Sequence, residues 1–75
     1  MNVQRSIRKG QYKLIVFPKL NKVLLFDLNN DPEEMHDLAG IKKYKSKVSE
    51  LFEALLKKQQ QMDDPLNISN IANNI

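Results

Sequence analysis

The chain has 75 residues, 41% hydrophobic and 28% charged, with 12 Lys and Arg against 9 Asp and Glu for a net charge of +3, and no cysteine. That balance belongs to an ordinary soluble globular sequence and argues against disorder, and the length admits one domain. The missing cysteines exclude a disulfide framework or a thiolate zinc site, and the apolar runs LIVF (14–17) and VLLF (23–26) are far too short to cross a bilayer.

The first expected element is a short strand over 3–8, followed by Lys9-Gly10, where glycine supplies the positive backbone angle of a tight hairpin. A stronger strand follows over 11–17. Pro18 ends it by removing an amide donor, and PKLN loops into a third strand over 22–28. Three to four strands in an antiparallel meander are expected. Both main strands are apolar on both faces: Tyr12, Leu14 and Val16 oppose Ile15 and Phe17, and Val23 and Leu25 oppose Leu24, Phe26 and Leu28. One helix covers one face only, so the other calls for a missing domain, a partner subunit or the chain's own tail.

A long amphipathic helix is expected over 43–62, with Tyr44, Val48, Leu51, Phe52, Leu55 and Met62 as the stripe that packs on the sheet. Asp63-Asp64-Pro65 stops it. The last stretch, NISNIANNI, lacks periodicity and is expected to be an extended tail. The fold class is therefore α+β, a small antiparallel sheet packed on one C-terminal helix, with an α+β subdomain at 1–66 and an Asn-rich tail at 67–75. A core of this size removes about 60% of the unfolded chain's surface from water and is marginal without a partner.

Several constellations imitate functional sites. Asp27, Asn29 and Asp31 have the spacing of the first calcium ligands of an EF-hand, but Pro32 stands where that loop needs Gly and Leu38 where it needs a bidentate Glu. The better account makes Asp31 a helix N-cap, Pro32 the first helical residue and Glu34 the carboxylate of a capping box. His36, the single histidine, has no second convergent group and reads as a surface residue. Ser6, Ser46, Ser49 and Ser69 have no base near them in sequence. The Asn67-Ile68-Ser69 triplet meets the N-glycosylation pattern, which chance produces often.

Two longer motifs carry a resemblance. Arg8, Gly10, Tyr12, Lys13 and Leu14 fit R-x-G-x-[YW]-K-L-I, and Leu25, Phe26, Asp27, Leu28, Asp31, Pro32, Glu34, Leu38 and Ala39 fit L-[YF]-D-L-x-x-D-P-x-E-x-x-N-L-A. Over roughly residues 4–66 the chain resembles the C-terminal subdomain of type I, formylglycine-dependent sulfatases, the arylsulfatase family. Asp37 stands where that family has Asn, a mild departure because either side chain accepts a backbone hydrogen bond.

The resemblance implies a catalytic domain that uses formylglycine, made from the Cys or Ser of C/S-x-P-x-R, and a divalent cation, usually calcium. Neither is placed in this chain. Its prolines are preceded two residues earlier by Val16, Asn30 and Asp63 and followed two later by Leu20, Glu34 and Asn67, so none has the required flank. Catalytic, cofactor-binding and metal-binding residues are therefore all expected to be none here, and the chain alone inactive. The implied role is structural: a subdomain that packs on the catalytic domain of a sulfuric ester hydrolase and helps shape the cleft rim. Lys13, Lys19 or Lys22, if facing an anionic sulfated substrate, would steer it, but lysines commonly protect exposed strand edges, the preferred account, and no rim contact is assigned.

A small basic protein- or nucleic-acid-interaction module is the alternative, resting on Arg5, Arg8 and Lys9 and on Lys42, Lys43, Lys45 and Lys47. Interspersed acidic residues and the lack of an aromatic RNA-binding strand argue against it. Self-association through the uncovered sheet face or an open edge is compatible with either account. No signal peptide is read in the chain, and periplasmic or secreted localisation follows for the parent only from the resemblance.

Overall fold

The structure is a computed structural model and describes residues 4–68 and 71. Val3, expected in the first strand, and Ser69 of the glycosylation triplet lie outside the described residues. Three strands, β1 (Arg5–Lys9), β2 (Tyr12–Phe17) and β3 (Lys22–Asp27), form an antiparallel sheet in the order β1-β2-β3. One helix, α1 (Lys45–Gln61), follows them. The α+β class and the meander stand as expected.

Each connection has a local cause. Lys9 pairs with Tyr12 across a two-residue turn in which Gly10 takes a φ of 62°, left-handed backbone that glycine adopts without a Cβ clash. Pro18 opens a single 3-10 turn, Pro18–Leu20, and Asn21 ends it at a φ of 52°, a conformation that Asn tolerates better than most residues. At the C-terminus of α1, Asp63 at a φ of 54° lets its amide reach the Gln60 carbonyl at 3.3 Å while the Asp64 amide reaches that of Gln59 at 2.9 Å. This is a Schellman stop built on Asp in place of the usual Gly.

The register sorts the side chains into two faces. Arg5, Val16 and Val23 align across the strands, as do Ile7, Leu14 and Leu25, and these rows face α1. Leu14, Val16 and Leu25 are wholly buried against Val48, Leu51, Phe52 and Leu55 of the helix. Each such apolar side chain is worth roughly 1.5–3 kcal/mol on burial, and together they hold helix and sheet as one unit. On the opposite face, Ile15, Phe17 and Leu24 remain half-buried.

Three expectations change. The helix stripe ends at Gln59, 8% exposed, whereas Met62 is 69% exposed, because Met62 is already the C-cap and the chain turns away there. Of the tail expected at 67–75, only residues 67, 68 and 71 are described, and there Ile68 and Ile71 are not extended into solvent but buried in the cluster with Leu14 and Leu51. Ile68 and Ile71 thus pack on the helix side of the sheet. Finally, no helix follows Asp31. The chain makes a turn closed by the Glu34 amide on the Asp31 carbonyl at 3.0 Å, and Glu34 sits at a φ of 56°, which a helix cannot accommodate.

Candidate functional site

The segment between β3 and α1 is held by many side-chain hydrogen bonds, and its chemistry begins with Asp27 at the end of β3. Buried at 6% exposure, this carboxylate accepts from the Asn30 side chain at 2.8 Å, from Gln11 Nε2 at 3.0 and 3.1 Å, and from the Asn29 amide at 3.1 Å. The Asn30 bond leads in holding Asp27 below the usual carboxylate range, ahead of the opposing effect of burial. Oxygens already filled by donors are poor calcium ligands, since a hard cation needs those lone pairs itself. Among the described residues, no three His, Asp or Glu side chains gather to hold a metal ion.

Asp31 keeps a capping function without the helix. Its oxygens accept from the amides of Met35 at 3.0 Å and His36 at 2.8 Å, and those bonds, Met35 first, lower its pKa. Glu34, expected to complete a capping box, instead reaches across to β2 and pairs with Lys13 at 3.2 Å. The pair brings the loop over one end of the open face, beside Phe26, which is the register partner of Lys13 and is buried. Part of that face thus has cover within the chain. His36 is exposed, as are Ser6, Ser46 and Ser49.

Asp37 closes an edge. Its Oδ1 accepts from the amides of Leu25 and Ala39, each at 2.9 Å, and the Leu38 amide donates to the Leu25 carbonyl at 2.8 Å. The Leu25 backbone, like that of every second β3 residue, faces away from β2, so Asp37 and Leu38 occupy the outer edge of the sheet where another strand would add. The L-A motif at 38–39 is therefore an edge cap.

The cations on the face toward α1 are matched by acids. Arg5 clamps Asp64 through Nε at 2.6 Å and a second nitrogen at 3.1 Å, a two-pronged bond that ties β1 to the end of α1. The Arg5 hydrogen bond, helped by the Leu66 amide and Gln59, holds Asp64 well below the usual carboxylate range. Gln59 Nε2 also donates to the Leu66 carbonyl at 3.0 Å, which explains a buried polar residue on the stripe and steers the chain back toward Ile68. At the other end of α1, Glu50 joins Lys9 at 3.2 Å and Lys47 at 3.3 Å, and Lys47 lies 5.1 Å from the Tyr12 ring. Of the two basic clusters expected for nucleic acid, Arg5, Lys9 and Lys47 are thus committed to internal pairs. Lys19 and Lys22 are exposed at the far hairpin.

The sequence pattern of the family described as N-sulphoglucosamine sulphohydrolase, C-terminal, matches residues 1–61. An uncharacterized protein of Haemophilus influenzae is 36% identical over 63 residues, which cover 84% of this chain and 32% of that protein. The chain therefore spans about a third of the length of the curated relative it matches.

Proposed function

Since this chain belongs to the N-sulphoglucosamine sulphohydrolase C-terminal family, we propose that it serves as the structural subdomain of a sulfatase and packs on a larger catalytic domain to shape the cleft rim. One observation carries this reading. Ile15, Phe17 and Leu24 form a half-open apolar end of the sheet, with Leu20 of the adjoining turn 53% exposed, although the opposite face is sealed. A sheet apolar on both sides needs two covering layers, and helix and tail supply one.

Hydrolysis of the sulfuric ester, as in an arylsulfatase, would belong to that catalytic domain, with its formylglycine nucleophile and calcium. The residues present here do not fit the metal: the Asp27 oxygens are filled by donors and Asp31 is spent on two backbone amides. No step of the reaction is assigned to this chain. The role left to it is to support the rim and exclude water behind it.

The test is to express the catalytic part of the parent and this chain as separate polypeptides and follow association and sulfate-ester hydrolysis together. Association that Ile15→Asp weakens by roughly tenfold or more, with this chain inactive alone, is the expected result. Wild-type and Ile15→Asp chains that bind equally, or hydrolysis by this chain alone, would sink the reading.

A further inference from the structure

The two edges of the sheet differ. The β3 edge is closed by Asp37 and Leu38 on Leu25. Because the Leu25 backbone faces outward, the Leu14–Leu25 pair is a non-hydrogen-bonded one, and strand alternation then turns the Leu14 N–H and C=O toward Ile7 of β1. By the same alternation, Ser6 and Arg8 direct their main-chain groups away from β2. Both residues are exposed, and among the described residues those groups meet no main-chain partner.

A groove of about 570 Å³ lies at this place, lined by Ser6, Ile7 and Arg8 together with Lys13, Glu34 and Lys58. Successive strand residues project to opposite faces, so a groove touched by three in a row follows the strand's edge as well as one face. Its charge is positive. Lys13 is neutralised by Glu34, but among the described residues neither Arg8 nor Lys58 has a carboxylate partner; Arg8 Nε donates only to the Gly10 carbonyl at 3.3 Å.

We infer that the free edge of β1 is an acceptor for an extended, carboxylate-bearing polypeptide strand, which pairs with the main chain of Ser6 and Arg8 and sets acidic side chains against Arg8 and Lys58. Only a polypeptide offers alternating N–H and C=O groups at the spacing this edge presents, and the two cations select its charge. A second copy fits poorly. Antiparallel self-pairing about Ile7 would set Arg5 opposite Lys9 and Ser6 opposite Arg8 of the other copy, and β1, with the sequence RSIRK, brings no carboxylate to face Arg8 or Lys58. Ser6 is the register partner of Ile15, so the edge adjoins the half-open face; the pairing uses main-chain groups that point outward along the sheet and not the apolar side chains of that face.

The experiment is amide hydrogen exchange, resolved by residue, on the 75-residue chain titrated with a short peptide alternating Glu and Val, with its Lys-Val counterpart, and with a sulfated oligosaccharide. The Glu-Val peptide is expected to slow exchange at Ser6 and Arg8 by about tenfold and to lose about tenfold in affinity with Ser6→Pro, which removes an outward donor and no bond to β2. Arg8→Glu is expected to weaken it similarly, and thermal melting verifies that both variants stay folded. Equal binding of the Lys-Val peptide, protection by the oligosaccharide alone, concentration-dependent dimerisation that protects the same amides, or indifference to both substitutions would each overturn the proposal.

Discussion

The two faces of this sheet are built from equally apolar residues and end in different environments. Leu14 and Ile15 are neighbours in β2, yet Leu14 is wholly buried under α1 while Ile15 is half-open beneath nothing more than adjoining side chains. The difference does not lie in hydrophobicity. It lies in how many covering layers the chain supplies: a 17-residue helix and a returning tail on one side, one loop end on the other. A small domain with one sealed face is held together by that face, and the second is free to be an interface.

Substitution on the sealed face is expected to have the largest effect. Leu14→Ala should cost about 2–5 kcal/mol, enough to leave so small a domain substantially unfolded in a thermal melt followed by circular dichroism. A loss no greater than that of Ile15→Ser would erase the contrast between the faces. Next comes the tail. Ile68→Ala should cost about 2–4 kcal/mol if the return of the chain completes the core, and a melting curve indistinguishable from wild type would remove the tail from it.

The Arg5–Asp64 clamp ranks third. With the Asp64 pKa held below its ordinary value of 3.8, the clamp contributes fully above that value and is lost as pH falls through it toward the folded value. Wild type should therefore lose melting temperature on acidification below about pH 4, whereas Arg5→Ala should start several degrees lower at neutral pH and decline less steeply in acid. Asp27 and Asp31, shifted in the same direction, keep some acid slope in both proteins. Parallel curves would detach the clamp from stability.

Smaller effects sharpen the comparison from the other side. Asp63→Gly, at a φ of 54°, should stabilise by about 0.5–1 kcal/mol by relieving the left-handed strain at the helix stop. Ile15→Ser on the half-open face should change stability least, within about 1 kcal/mol by urea titration. A loss approaching that of Leu14→Ala would mean that this face is as necessary to the fold as the sealed one.

The sequence made much of the architecture legible because its signals are local. Gly10 and Pro18 punctuate the strands, alternation assigns Leu14, Val16 and Leu25 to one face, and the spacing of Val48, Leu51, Phe52 and Leu55 marks the helix stripe. The motif residues of 25–39 also pointed to the family. Their structural duties were harder to read. Asp31, Pro32 and Glu34 have the order of a capping box, yet the helix never forms, because Glu34 takes left-handed backbone and its carboxylate is drawn away to Lys13 on β2.

Gln59 and the tail were missed for a related reason. A glutamine on a stripe and an Asn-rich terminus look solvated until Asp64 and the Leu66 carbonyl come within 3.2 and 3.0 Å of Gln59 and direct Ile68 and Ile71 inward. No signal in the one-dimensional pattern reports a partner that only tertiary packing delivers.

By itself, then, the sequence determined the α+β class, the meander, the helix and the family, since each rests on spacings of a few residues or on a contiguous motif. Only the tertiary structure decided which apolar face is sealed, that the β3 edge is capped by Asp37 while no described residue pairs with the outer edge of β1, and that Ile68 and Ile71 belong to the core. Those outcomes depend on contacts between residues far apart in the chain, where geometry, and not composition, sets which partner arrives.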